Sequence, residues 1–343
     1  MKEFYRELQK VLEIGRTVTL TGLDGRLCGK KAIFHNGELT YGDRELDWKR
    51  YLSVFMENGR DNGTVNIEYG RIYCEIVRNE KKLVICGGGH VANAVIAMAK
   101  LLEFPVTVIE DREAFAREAV RVGADHAICA DFAEGLSKIE LGRDVYVLVM
   151  TRGHNHDKDC LKYLLTCKYG YLGMLGSRKR VKILKDELEK EGYAKEKLDR
   201  IYSPVGLSIH AQTPAEIAVS IFAEIISIRN GKNGAATYVK AVKDYLFSDQ
   251  YLNGEEKVVV ATIIEKLGSA PRDIGTKMLV FEDGRICGTI GGGFLEAAVM
   301  EYAGNVLRQK ETGLFTKTVV INSDKAAEEG MRCGGTVEVM LEI

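Results

Sequence analysis

Long apolar runs are missing from this chain. The longest, over residues 217–228, is interrupted by Glu224, well short of the ~20 residues that span a bilayer, so no membrane segment is expected. An excess of charge is missing too. Lys and Arg total 48 against 49 Asp and Glu, a net charge of −1. The cations are not gathered into a stripe, so nucleic acid is not an expected partner. The opening residues Met1 to Glu7 are charged throughout, unlike a secretory leader. The eight cysteines contain no CxxC pair, which argues against a disulfide framework and a structural zinc site, and for a reducing cytoplasm. The bulk composition is that of a globular protein: 46% hydrophobic and 28% charged over 343 residues, enough for two or three domains.

Read in order, residues 4–14 carry helical spacing and 17–21 a strand. Asn36-Gly37 between two apolar stretches predicts a hairpin, and a second hairpin follows around Tyr69-Gly70. Residues 1–80 are thus expected to form a small α+β domain. At Lys81 the pattern changes. Residues 83–86 read as a buried strand, followed by Gly87-Gly88-Gly89-His90, a helix to about 103 and a strand over 106–109. Gly87, Gly89 and Ala92 fit the G-x-G-x-x-G/A fingerprint, and the acids Glu110 and Asp111 follow at the right distance for a nucleotide's ribose. Arg112 beside them leaves recognition of a 2′-phosphate open. A strand over 144–150 ends in Thr151, Arg152, Gly153, His154, Asn155, His156 and Asp157. In a doubly wound sheet this segment faces the glycine loop across the switch point. His90, His154 and His156 are therefore candidates for substrate contact, proton transfer or metal ligation. Alternatively, the segment is a polar loop in which Asn155 or Asp157 caps the next helix.

After a strand over 171–175, Ser177 and Arg178 open another helix. Cations at a helix N-terminus suit a docked anion, and equally a solvated basic face. Thr213, Pro214 and Glu216 form a capping box ahead of an apolar, buried helix to 228. Residues 230–234 read as a linker, which closes a Rossmann-like domain over 81–233. The last domain, 234–343, holds two glycine-rich turns around a hairpin. The first carries Ser269, Arg272 and Lys277, the second Gly291, Gly292, Gly293 and Glu296. Glycines at this density let a backbone approach a ligand, and these polar groups could bind it. Cys333 lies among glycines beside Arg332. A neighbouring cation and freed N–H groups favour thiolate, so Cys333 is a candidate nucleophile, sulfur carrier or metal ligand. Cys86, Cys129 and Cys287 read as small buried hydrophobes.

The first and last segments share an order of helix, strand, hairpin, helix and terminal strands. Gly29 and Lys31 match Gly275 and Lys277, and Gly63-Thr64-Val65 echoes Gly335-Thr336-Val337. The N-terminal copy lacks the polar ligand set. The expected fold class is α/β: a central Rossmann-like doubly wound parallel sheet flanked by two small α+β domains, the first a degenerate copy of the last.

The runs 268–280, 288–296 and 330–339, with 84–91, 151–157, 173–180, 204–207 and 213–226, resemble the xanthine dehydrogenase accessory factor (XdhC/CoxI) family over roughly residues 81–343. Two features depart from its pattern. The family's small domain usually comes first, whereas the intact copy here comes last. His210 and Gln212 replace a Gly and a small or acidic residue. The resemblance implies a protein that binds molybdenum cofactor, as molybdopterin or its dinucleotide form. It further implies sulfuration of that cofactor with a cysteine desulfurase and delivery to a molybdenum hydroxylase. Cys333 would hold molybdenum or sulfur, and the Rossmann crevice a nucleotide. A reading from a different class is an NAD(P)-dependent oxidoreductase with His154 or His156 as acid/base; a third is a protein–protein adaptor. Whether the chain forms a homodimer stays open.

Overall fold

The computed structural model describes all residues except 13–14, 58–61, 153, 231–236, 255, 269 and 322–334, and except the side chains of 154 and 155. Among the described residues the strands form three five-stranded sheets. The chain divides into two compact units, one of Met1–Asn79 with Ala236–Ile343, the other of Glu80–Ala235.

The first sheet holds β1 (Thr17–Gly22), β2 (Lys31–His35), β3 (Glu38–Tyr41), β4 (Asn62–Ile67) and β5 (Gly70–Val77). Asn36 and Gly37, both at positive φ, make the tight turn from β2 to β3 that matches the twist of antiparallel strands. The helix over Trp48–Glu57 is the helix expected after the hairpin. It buries Trp48, Tyr51 and Phe55, spaced three and four apart, against this sheet.

The Glu80–Ala235 unit holds β6 (Lys82–Cys86), β7 (Val106–Glu110), β8 (His126–Cys129), β9 (Val145–Val149) and β10 (Tyr171–Met174). Their order is β10-β9-β6-β7-β8, and every pair is parallel. The sheet is therefore doubly wound as expected, with its switch point between β6 and β9. β9 is buried throughout, because helices cover both faces. One face receives the helices His90–Leu101 and Pro214–Ile228, the latter through Ala218, Ile221, Phe222 and Ile225. The expected capping box of Thr213 and Glu216 is in place.

The third sheet holds β11 (Val258–Gly268), β12 (Lys277–Phe281), β13 (Ile286–Gly288), β14 (Leu314–Ile321) and β15 (Gly335–Glu342), with the helix Gly293–Arg308 on the face of Val259, Ala261 and Ile263, opposite the face that meets the first copy. Its order, β13-β12-β11-β15-β14, repeats the order β3-β2-β1-β5-β4 of the first sheet strand for strand. The internal repeat is real. The registers give the equivalences: Thr21 faces Lys31 as Thr262 faces Lys277, and Thr19 faces Glu75 as Val260 faces Glu342. One expected echo does not hold, because Gly63 lies on the fourth strand of its sheet and Gly335 opens the fifth.

The two copies pack on each other about a pseudo-two-fold axis. Lys277 Nζ meets Glu75 Oε1 at 2.6 Å, and the equivalent Lys31 Nζ meets Glu342 Oε1 at 2.5 Å. Arg71 and Glu338 occupy equivalent positions and bind each other through two 2.9 Å hydrogen bonds. Leu23 and Tyr73 cluster with their counterparts Ile264 and Met340. Each copy thus gives the other what it receives, the rule of a symmetric dimer interface, here within one chain.

Candidate functional site

The two glycine turns of the C-terminal copy touch. A side chain begun at Gly291 would lie 2.4 Å from Pro271 Cγ and 3.5 Å from Arg272 Cγ, so only glycine lets the turns close. Gly291, Gly292 and Gly293 all have positive φ. This backbone points successive N–H groups inward, as in an anion-binding nest. Glu296 fills that nest itself. Its Oε1 accepts from the N–H groups of Ile290 (3.0 Å), Gly291 (3.2 Å) and Gly292 (2.9 Å), and from the Thr289 hydroxyl. Partial burial alone would raise the Glu296 pKa, yet these donors hold it below the usual carboxylate range. Next to the nest, Gly292 has open space where a side chain would begin. Arg272 is exposed, with no ion-pair partner among the described residues.

Lys277 departs from its expected role. It is 6% exposed, its ammonium is paired with Glu75, and it also donates to the Gly275 carbonyl at 3.2 Å. A cation held this way inside the fold positions the two copies rather than facing a ligand. Ser269 and Cys333 lie outside the described residues.

In the Rossmann unit the ends of β6 and β9 meet as the topology requires. A side chain at Gly87 would lie 2.4 Å from the Met150 carbonyl oxygen. Gly89 precedes the helix His90–Leu101 without a side-chain cap and with open space around it; His90 is exposed. Glu110, at the end of β7, is 1% exposed. Its Oε2 accepts the Gly88 N–H at 2.6 Å, and its Oε1 accepts Arg112 Nε at 2.6 Å. Burial pushes its pKa up, but Arg112 and Gly88 bring it below the ordinary value. Asp111 pairs with Arg152 at 2.8 Å.

His154 and His156 sit in the first turn of a helix, His154–Leu164, rather than in a loop. The His156 ring packs on Phe132, centroids 5.3 Å apart. Asp157 is fully buried. It accepts the Thr151 hydroxyl at 2.5 Å and pairs with Arg180. Burial pushes its carboxyl up, and Thr151 and Arg180 pull it back only in part. Ser177 caps its helix by accepting from Arg180 N–H at 3.3 Å, while Arg178 is exposed. The Asp157–Arg180 tie, which joins the first turns of the helices after β9 and β10, was missed. Its signal was an acid in the first turn of the helix that follows an all-apolar strand. Among the described residues no group of three His, Cys, Asp or Glu could hold a metal, and no helix is long and apolar enough to cross a membrane. Cys86 is buried as expected; Cys129 is exposed, because β8 is an edge strand.

Two family models match the chain: the XdhC Rossmann domain over residues 83–225, and the XdhC and CoxI family over 252–318. An uncharacterised Escherichia coli K12 protein, YqeB, is 33% identical over 45% of this chain and 28% of its own length. A probable xanthine dehydrogenase subunit of Bacillus subtilis 168 is 30% identical over 46% of each chain. The chain therefore spans less than half the length of these relatives. The molybdenum cofactor insertion chaperone PaoD of Escherichia coli is 42% identical over 15% of this chain and 16% of its own. A solved structure of a xanthine dehydrogenase from Bacillus halodurans shares the fold, with a TM-score of 0.55, 24% identity and 68% of each chain covered.

Proposed function

We propose that this chain, a member of the XdhC and CoxI family by both of its matched segments, is an accessory factor for a xanthine dehydrogenase-type molybdenum hydroxylase. In this reading it binds molybdenum cofactor as cargo, supports its sulfuration with a cysteine desulfurase, and hands it to the client enzyme in the cytoplasm. The observation that carries the reading is the pair of touching glycine turns, with the exposed Arg272 and the open space beside Gly292. A flat, anionic pterin needs close backbone approach and a cation. Ser269, Arg272 and Gly291–Gly293 would frame it, Glu296 would hold the turn in shape, and Cys333 would carry sulfur or bind molybdenum. The likeness to PaoD supports the cargo. A nucleotide, the cofactor's own tail or a separate one, would lie at Gly87–His90, where the helix N-terminus has no side-chain cap and attracts phosphate.

The test is direct. The purified protein is titrated with molybdenum cofactor and with NAD(P)H, and the loaded protein is incubated with the apo form of a client hydroxylase. Pterin binding with gain of client activity is expected, and Cys333→Ala should bind cofactor yet fail to deliver the sulfurated form. Binding of NAD(P)H with no retention of pterin would overturn the reading in favour of an oxidoreductase.

A further inference from the structure

We propose that Asp111, and not Glu110, reads the ribose diol of a nucleoside diphosphate in the Rossmann crevice, with the base lying on the Arg112 guanidinium. The inference rests on the reading above that this crevice takes a nucleotide. In the dinucleotide fingerprint the acid at the end of the second strand binds the ribose. Here that residue is Glu110, the last of β7, and both its oxygens are turned to the protein's own donors. Oε2 holds the Gly88 N–H, and Oε1 holds Arg112 through its backbone N–H (3.2 Å) and Nε (2.6 Å). Because Glu110 is 1% exposed and lies under the Gly88 N–H, a ribose could reach it only by moving the glycine turn that its phosphates need.

Asp111 is one position further out. Its Oδ2 accepts from Arg152 at 2.8 Å, whereas its Oδ1 is kept from solvent without a hydrogen-bond donor among the described residues. The nearest cation to Oδ1, Arg112 Nε, is 3.7 Å away. An unsatisfied carboxylate oxygen is unfavourable, and a small turn of the side chain would bring it to a diol that supplies two O–H donors. Arg112 completes the seat. Its guanidinium lies 3.6 Å from the centroid of the Phe115 ring, and a planar cation stacked on one side leaves its other face to a base. Charge sets the sugar. Arg112 and Arg152 are matched one for one by Glu110 and Asp111, so no net positive charge remains for a 2′-phosphate, which would stand beside two carboxylates. The arginine that left 2′-phosphate recognition open in the sequence therefore serves the base instead.

Calorimetry on the full chain tests this with ADP, CDP, GDP, 2′,3′-dideoxy-ADP and adenosine 2′,5′-bisphosphate. The ribonucleotides should bind, dideoxy-ADP about tenfold more weakly, and the 2′-phosphate more weakly than ADP. Asp111→Ala should lower ADP affinity to the dideoxy level and leave dideoxy-ADP unchanged. Arg112→Ala should weaken all bases alike. The ranking of the three bases distinguishes a cofactor tail from an adenine dinucleotide. Equal affinity for ADP and dideoxy-ADP, a gap that survives Asp111→Ala, or tighter binding of the 2′-phosphate would overturn the assignment. Binding of none of these nucleotides would overturn the nucleotide reading of the crevice as well, while pterin retention, measured separately, still decides the chaperone role.

Discussion

The N-terminal and C-terminal copies differ at one end of their sheets and agree everywhere else that matters to their pairing. Ten positions lead from Thr21 to Lys31, but fifteen from Thr262 to Lys277. After the third strand, Gly42 is followed by Asp43 and an ordinary helix start, whereas Gly288 leads into the triple glycine. The fourth and fifth strands are joined by Glu68 and Tyr69 in the first copy and by residues 322–334 in the second. All three connections leave the same end of the sheet, since Gly268 is in register with Gly335 and Gly335 with Ile321. The mutual face is kept in both copies and one rim in only one of them. Duplication has thus separated two demands: the first copy serves the interface, and the second also carries the candidate site.

The largest test of this division is the exchanged lysines. Glu75→Ala should leave the Lys277 ammonium buried and unpaired, a loss of about 3–5 kcal/mol in denaturant unfolding. Glu342→Ala, which strands Lys31, should cost nearly as much, because both pairs are buried. A large loss at one pair and none at the other would break the symmetry. Recovery in a Glu75→Leu/Lys277→Met double variant would identify the charge, not the packing, as the cause.

The glycines separate next. Gly29→Ala should cost about 1 kcal/mol, the ordinary penalty of positive φ, since its surroundings are empty. Gly275→Ala adds contacts of 2.7 Å to Asn62 and 3.2 Å to Glu75 of the other copy. Its melting temperature should fall clearly further; equal shifts would mean the interface yields. On ligand binding, Arg272→Ala should weaken pterin about tenfold, the scale of one charged hydrogen bond, while Arg26→Ala, on the equivalent connection of the first copy, should leave it unchanged. Equal weakening by both would place ligand groups on both copies.

The smallest effect concerns the helix starts. Glu296→Ala should cost about 1 kcal/mol and Asp47→Ala, which removes the cap on Arg50 N–H, a similar or smaller amount. The Glu296 contribution should depend on pH. Its folded pKa is depressed, so the stabilisation is complete above the unfolded Glu value and fades as pH falls through the folded one. A difference between wild type and Glu296→Ala that does not shrink as pH falls below the unfolded Glu value would refute the nest as its source.

Much of this was readable in the chain because local period and turn chemistry decide it. The buried strands of the Rossmann sheet, the Asn36-Gly37 hairpin and the Thr213–Glu216 box need no distant partner. The repeat was also legible, though its exact register was not, since Gly63-Thr64-Val65 and Gly335-Thr336-Val337 resemble each other on non-equivalent strands. Lys277 misled for a physical reason. A lysine among glycines looks like an anion ligand until its partner is found 202 positions away. Glu110 shows the same limit: the fingerprint places an acid there, and only folding shows Gly88 and Arg112 bonded to it. The helix Trp48–Glu57 carried its signal in three aromatics at helical spacing.

The exchange of Lys31 and Lys277 also has a consequence for synthesis. The whole Rossmann unit lies between the two copies, so Glu75 emerges from the ribosome 202 residues before Lys277. At typical elongation rates that is roughly 10–40 s. Throughout this interval the first copy displays a charged face that matches the second copy and not itself, because its Arg71 needs Glu338 opposite. The C-terminal copy of a neighbouring chain offers the same match, so the order of the domains sets a race between pairing within a chain and exchange between chains.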